Sequence, residues 1–278
     1  MSQITLSRCF LFELVMFVLG KGESTGKIVN SLNSDGAIIN TTHYSVEECG
    51  QGLHYHENPH ICFLLHGSDI ETRNNQSYQR KTGDIFFYYA GEKHASVSRQ
   101  SISKHTNIEF GDSFLRKYNL SESQIEKSVK NNLDAKFLIL KIQQEMLIGD
   151  SCSNLAIHSL LLNMFDSSRL NNETIPNWVN KLDDLLNDRW NEQITLDELA
   201  AAVEKYPTTV SKHFRKYFFC TLGEYLRKIR INKSIALIKN SEMSLTEIAF
   251  HCGFADQSHF TRNFKQMTGF LPKEFRKV

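Results

Sequence analysis

The last third of this chain repeats itself, and the repeat limits what the chain can fold into. Thr195-Leu196-Asp197-Glu198-Leu199-Ala200 returns as Ser244-Leu245-Thr246-Glu247-Ile248-Ala249. In each copy a hydroxyl is followed three residues later by Glu, the reciprocal capping box that starts a helix. Further on, Val210-Ser211-Lys212-His213-Phe214-Arg215 is matched by Phe260-Thr261-Arg262-Asn263-Phe264-Lys265. Apolar residues at i and i+4 fix the buried side of a second helix, and a hydroxyl and a cation stay on its outer side. Tyr225 and Phe275 then stand at equal distances behind Phe214 and Phe264, each preceded by Glu. Between the helices of the second copy, Cys252-Gly253-Phe254 supplies a glycine where a tight turn needs positive φ. The first copy uses Glu204-Lys205-Tyr206 and then Pro207, a residue suited to the first helical position. The pattern predicts two helix-turn-helix units, at about 195–217 and 244–267, joined by one long helix over Leu222–Asn240. Such a rod sets two recognition helices about one DNA turn apart, roughly 34 Å. A plain helical bundle with solvated basic residues explains one such pattern, but not matched caps, cores and outward cations in two copies.

Charge separates along the chain in the same sense. The 278 residues carry a net charge of +1. Residues 177–278 hold 16 Lys and Arg against 12 Asp and Glu, whereas residues 1–176 hold 16 against 19. The carboxyl-terminal part is the one suited to meet a polyanion.

With these residues in place a family resemblance is visible. Ile248-Ala249, Gly253-Phe254, Asp256-Gln257-Ser258, Phe260, Arg262, Phe264-Lys265, Gly269 and Pro272-Lys273-Glu274-Phe275-Arg276 stand in the order and spacing of the AraC/XylS-type regulators. The resemblance covers about Ile194–Arg276. It implies a two-unit DNA-binding domain preceded by an effector-binding or dimerising domain, with double-stranded DNA and RNA polymerase as partners and transcriptional activation as the role. Carried over by position, the first recognition helix presents Thr208, Thr209, Ser211 and Lys212 to DNA, and the second Gln257, Ser258, His259 and Arg262. Arg262 suits guanine and Gln257 adenine. Lys212, Arg215, Lys216 and Lys265 suit phosphates, which set register rather than sequence. Three positions depart from the family pattern and weaken the first unit: Tyr206 where Ser often caps, Phe219 where Gly is common, and Ser234 where Ala is usual.

The front of the chain has another texture. From about Gly26 to Phe110, short apolar runs such as Ile61–Leu65 and Ile85–Tyr89 alternate with Gly, Asn, Ser and Asp, the mark of short strands and turns. His54, His56 and His60, followed by Gly83, Gly91 and His94, resemble the two motifs of cupin barrels. His60 stands where that motif has Glu, Tyr89 where it has Pro, and Ser98 where it has Asn. Alternation along a strand puts His54 and His56 on one face, and a cupin-type barrel brings His94 to them. Imidazoles of this kind suit a transition metal, but they also serve as the lining of a metal-free pocket, the bland reading, or as strand residues that hold no ligand, and spacing does not choose. The effector-pocket residues expected are His54, His56, Phe87, Tyr89 and His94. No metal or cofactor is assigned, and His60 is kept with His54, His56 and His94 as an alternative metal set. A jelly-roll barrel is wide enough for one small ligand, and carbohydrate effectors are frequent in the family.

The expected architecture is therefore multidomain α+β, with a cupin-like β-barrel and flanking helices in front and an all-α tandem helix-turn-helix domain behind. Residues 1–25 are an extension of uncertain nature, 26–166 the cupin-like effector or dimerisation domain, 167–176 a polar linker, and 177–278 the DNA-binding domain. Helical segments at 122–131, 134–148 and 155–165 carry more apolar residues than one exposed face requires. They are expected to pack on the barrel, with a homodimer as the alternative, and His158 among them is read as structural. Six cysteines (Cys9, Cys49, Cys62, Cys152, Cys220, Cys252) without a C-x-x-C spacing indicate reduced thiols rather than a disulfide framework. The run Cys9–Leu19 is about half the length of a membrane span and lacks a signal-peptidase pattern. It is read as an edge strand, or as the product of an early start codon with Met16 the alternative, so a cytoplasmic, non-membrane protein is expected. Two other readings stand beside the ligand-responsive regulator: a cupin-type metalloenzyme with a DNA-binding tail, and a regulator that ignores small molecules.

Overall fold

Turn chemistry sets the front half. Asp35-Gly36 (φ 53° and 93°) and Asn74-Asn75 (φ 51° and 60°) are two-residue loops with positive φ throughout, which matches the twist of the strands they join. In this computed structural model, residues 16–45, 51–97, 102–166 and 175–278 are described. Cys9, Cys49, Ser98 and most of the expected linker lie outside the described residues, as does most of the amino-terminal extension.

Among the described residues ten strands form two five-stranded sheets. One runs β1 (Phe17–Leu19), β4 (Gln51–His56), β9 (His94–Val97), β6 (Ser68–Arg73) and β7 (Gln76–Lys81). The other runs β2 (Lys27–Ser34), β3 (Ala37–Tyr44), β10 (Ser103–Phe110), β5 (His60–His66) and β8 (Ile85–Tyr88). The expected closed barrel is thus two open sheets among the described residues. Side chains of β7 and β8 meet where the sheets face each other, as in the bond from Arg80 to the Tyr88 hydroxyl (2.7 Å). β3, β5 and β10 form the interior of their sheet and hold Ile39, Ile61, Phe63, Leu65 and Ile108 without solvent exposure. β1, from the end of the apolar run, lies at an edge and pairs in parallel with β4. A short helix, α1 (Asp112–Lys117), ends this unit, which closes at Tyr118.

Everything from Asn119 onward forms a second unit. It begins with α2 (Glu122–Asn131), α3 (Ala135–Ile148) and α4 (Ser153–Met164), so the helices assigned to the front domain from sequence cluster with the carboxyl-terminal part instead. α5 (Asn177–Asp188), α6 (Leu196–Ala202), α7 (Pro207–Phe218), α8 (Leu222–Asn240), α9 (Leu245–His251), α10 (Gln257–Thr268) and α11 (Pro272–Phe275) complete it. The composition of α3 explains the grouping. Phe137, Leu138, Ile139, Leu140, Ile142 and Met146 are all buried, and a helix apolar around most of its girth needs partners on more than one side. α3 packs on α4 and also on α10. Lys228 of α8 pairs with Asp134 at the start of α3 (2.7 Å). Among the described residues no helix is long and apolar enough to cross a membrane.

Candidate nucleic-acid interface and the histidine cluster

Both sequence repeats fold as helix-turn-helix units, and their caps form as the residues dictate. The Thr195 hydroxyl accepts from the Glu198 N–H (3.2 Å) while the Glu198 carboxylate accepts from the Thr195 N–H (2.8 Å). Ser244 and Glu247 do the same at 3.2 and 2.7 Å. These bonds favour the ionised carboxylates and lower both pKa values, through the Thr195 N–H and hydroxyl for Glu198 and through the Ser244 hydroxyl and N–H for Glu247. α8 opens with a third box, Thr221 with Glu224. Beneath the first unit, Leu182 and Leu186 of α5 pack with Leu199, Val210, Phe214 and Ile229. In the second, Ile248, Phe260, Phe264 and Phe275 have no exposure.

With Val210 and Phe214 inward, α7 leaves Thr208, Ser211, Lys212, Arg215 and Lys216 exposed and Thr209 half-buried. With Phe260 and Phe264 inward, α10 exposes Gln257, Ser258, Arg262 and Lys265, and His259 is half-buried. The two helices begin differently. Asp256 caps α10 by accepting from the His259 N–H (2.7 Å), whereas Tyr206, which is 79% exposed, makes no side-chain cap on α7. Gln257 accepts a bond from the Thr246 hydroxyl (2.6 Å), so reading adenine with both amide atoms requires exchanging that bond.

The corner residues divide the units further. The turn and the helix end of the second unit use Gly253 (φ 72°) and Gly269 (φ 86°); the matching places in the first hold Glu204 (φ 56°) and Phe219 (φ 54°). Left-handed backbone costs a non-glycine residue about 1–2 kcal/mol, so the first unit carries strain that the second lacks. Ser234, the third departure, is fully buried, and its hydroxyl donates to the Ile231 carbonyl (2.7 Å), so it leaves no polar group unpaired.

Sequence reasoning missed the residue that joins the units. Arg230 of α8 donates to the carbonyls of Trp190 (2.8 Å), Glu192 (2.8 Å) and Gly253 (2.7 Å). One guanidinium thereby ties the loop before the first unit to the turn inside the second. A lone Arg in a helix of mixed composition gives no signal of this in sequence. α8 itself spans about 28 Å at 1.5 Å per residue.

The front unit holds a second concentration of chemistry, between its sheets. β4 carries His54 and His56 on one face, β9 sets His94 opposite His54, and β5 opens with His60 in register with Tyr88. Ring centroids are 4.3 Å apart for His54 and His94, 5.5 Å for His54 and His56, and 4.1 Å for His56 and His60. One ring nitrogen from each of His54, His56 and His94 lies within 4.8 Å of the other two. Nδ1 of His54 faces the Gly52 carbonyl (2.7 Å) and Nδ1 of His94 the Glu92 carbonyl (2.9 Å). A carbonyl only accepts, so both Nδ1 atoms carry the proton, and in a neutral ring Nε2 keeps its lone pair. The rings are neutral at physiological pH. Burial first, and then the charge of His94, brings His54 down to about 4 and His56 to about 3. Burial also brings His94 to about 4, against the Glu92 carbonyl, which raises it. Burial pushes the neighbouring Cys62 thiol up to about 12, so it stays protonated.

Around the cluster lies a charged network that the sequence reading did not assign. Arg80 donates to Asp69 (2.6 and 2.5 Å), Glu71 (2.6 Å), Tyr88 (2.7 Å) and Ser96 (3.0 Å), and Tyr88 also donates to Glu71. The alternation Asp69-x-Glu71 and the cross-strand register Asp69–Arg80 were the available signal. Of the expected pocket residues, His54, His56 and His94 come together with His60, whereas Phe87 and Tyr89 do not line the space. Tyr88 lines it instead, because neighbours along a strand point to opposite faces. The space measures about 20 Å³. That is room for about one water, less than the one small ligand that a wide barrel would enclose.

A family model described as a helix-turn-helix domain matches residues 199–278. Over 271 residues the chain is 23% identical to the Msm operon regulatory protein of Streptococcus mutans, covering 90% of this chain and 96% of that one. It is 25% identical over 243 residues to the HTH-type transcriptional activator RhaS of Escherichia coli O157:H7, covering 80% and 86%. Among solved structures it is similar to ToxT of Vibrio cholerae, at 15% identity and TM-score 0.36, over 87% of this chain and 98% of that one.

Proposed function

This chain belongs to the AraC/XylS family of DNA-binding transcription regulators, and from that premise we propose that it reads one asymmetric duplex site by laying α7 and α10 in successive major grooves. It is a regulator and not an enzyme, as are the relatives it matches. The observation that carries the proposal is the matched pair of outward faces. Ser211 and Lys212 on α7, and Ser258 and Arg262 on α10, stand exposed over buried aromatic cores. Thr208, Thr209 and Ser211 with Gln257, Ser258, His259 and Arg262 make the base-edge contacts, Arg262 to guanine. Lys212, Arg215, Lys216 and Lys265 meet phosphates. The second unit, better capped and without strained corners, reads more stringently than the first.

Footprinting of the full chain tests this. The protected site is asymmetric and roughly 17–20 base pairs long, as two successive grooves require. Arg262→Glu abolishes specific protection while circular dichroism stays unchanged, and Arg262→Ala costs about 1–3 kcal/mol and relaxes one base-pair position. An unchanged footprint in the charge-reversed protein refutes the assignment.

The front unit, read as cupin-like, carries the controlling signal in this proposal. RNA polymerase at a promoter is the second macromolecular partner, activation the sense of control, and the cytoplasm the compartment where such DNA is met. A homodimer is supported by Leu155 (74% exposed) and Leu162 (36% exposed), seven residues apart on one face of α4. Sedimentation of the wild type and of Leu155→Glu separates a dimer from a monomer.

A further inference from the structure

The interior of the front unit brings together features that an organic effector does not need. Three imidazoles from two hydrogen-bonded strands turn toward one small space. Two of them have Nδ1 held by a backbone carbonyl, which fixes the tautomer with Nε2 free. Metal-ligating histidines are oriented in this way, their far nitrogen donating to a carbonyl or carboxylate. The space holds about one water-sized body. His60, fully buried, lies behind His56 with ring centroids 4.1 Å apart. Among the described residues this is the one group of three or more His, Cys, Asp and Glu side chains so gathered.

We propose that His54, His56 and His94 bind a divalent first-row transition ion, such as Zn²⁺, Co²⁺ or Ni²⁺, which replaces an organic molecule as occupant of the front unit. Neutral nitrogen donors select this class over Mg²⁺ or Ca²⁺, which take oxygen ligands. A metal–nitrogen bond of about 2.1 Å places tetrahedral ligand nitrogens about 3.4 Å apart, so the rings close on the ion by movements on the order of an ångström. Three protein ligands leave one position for water, or for His60 if its ring turns inward. Asp69 and Glu71 hold Arg80 at 2.5–2.6 Å and offset its repulsion of the ion in part, while Arg73 stands beside Glu71 as a second cation (3.7 Å). The ion site stands on the front unit alone. Its consequence, that metal occupancy changes DNA binding, rests on the proposed function above.

The test uses the untagged full chain, stripped with chelator and dialysed separately against Zn²⁺, Co²⁺ and Ni²⁺. Mass-spectrometric metal analysis gives one ion per folded chain, and Co²⁺ develops the visible absorption of a nitrogen-ligated site. His54→Ala and His94→Ala lose both signals, and His43→Ala, on another strand of the unit, keeps them. Stoichiometry well below one for every ion in the wild type overturns the site. Undiminished binding in both His54→Ala and His94→Ala also overturns it. Should those variants unfold by circular dichroism, the wild-type Co²⁺ spectrum decides, and the plain aquo-ion spectrum refutes the proposal. Footprinting with and without the ion keeps the two readings apart. A chain that binds metal but no DNA refutes the regulator's proposed contacts and leaves the site standing. A footprint indifferent to metal removes the regulatory consequence alone.

Discussion

Replacing Gly253 by Ala tests whether the Arg230 clamp fixes the two reading units. Two costs arise. The first is backbone: φ of 72° costs a non-glycine residue about 1–2 kcal/mol, offset by about 0.4–1 kcal/mol because alanine narrows the unfolded ensemble. The second is steric. A Cβ at this position lies 2.6 Å from the Asn191 carbonyl and 3.0 Å from the Arg230 guanidinium carbon. The obstacle is backbone together with a guanidinium anchored by three bonds, so the loop or the clamp must shift. Loss of one bond to a charged group costs about 1.5–3 kcal/mol, and the total is about 2–4 kcal/mol. Gly269→Ala is the control. Its φ of 86° carries the same backbone cost, but its nearest obstacle is the tip of the Gln144 side chain, which can swing away. It loses about 1 kcal/mol. Guanidinium unfolding followed by tryptophan fluorescence measures both, since Trp190 supplies one of the clamped carbonyls. Equal losses in the two variants, or a loss below about 1 kcal/mol for Gly253→Ala, refute the clamp.

Glu204→Gly relieves the left-handed corner of the first unit and stabilises it by up to about 1 kcal/mol, raising Tm by roughly 2–4 °C; a lower Tm contradicts the strain reading. Arg80→Met leaves Asp69 buried without its cation and Glu71 with Arg73 alone at 3.7 Å, and destabilises the front unit by about 3–5 kcal/mol, seen as an early transition in denaturant; a wild-type curve disproves it. Burial, reinforced by Arg80, holds the pKa of His105 well below its ordinary value. The unfolded chain takes a proton near pH 6.5 that the fold refuses, so the stability present above that pH drains away as pH falls below it. In chelated protein the denaturant midpoint of the front unit therefore drops between pH 7.5 and 5.5, and less steeply in His105→Asn; a midpoint independent of pH counts against this.

Legibility followed the range of the interactions. Capping boxes, helix periods and turn glycines act within a few residues, so the tandem units, their caps and the outward cations of α7 and α10 could be written from sequence. The strain at Phe219 was legible as a departure from pattern. Parity along a strand is not fixed by a continuous apolar run: the run Ile85–Tyr89 offers Phe87 and Tyr89 as lining as readily as Tyr88, which turns inward. Barrel closure depends on pairings between distant strands, and ten short strands left it undetermined. The grouping of α2, α3 and α4 also depended on distant partners, for the surplus apolar residues of α3 showed only that more than one face is covered. Arg230 and the Arg80 network escaped because each is defined by what surrounds it, not by its neighbours in the chain.

α3 resting on α10 makes excision at the polar stretch before α5 a surgical act with a wound. A fragment of residues 177–278 would keep both helix-turn-helix units, yet strip a buried companion from the rear of one of them and bare its underside to water. Dissecting this regulator cleanly means cutting near Tyr118, where the chain itself divides, and carrying the three preceding helices along with the DNA-reading end.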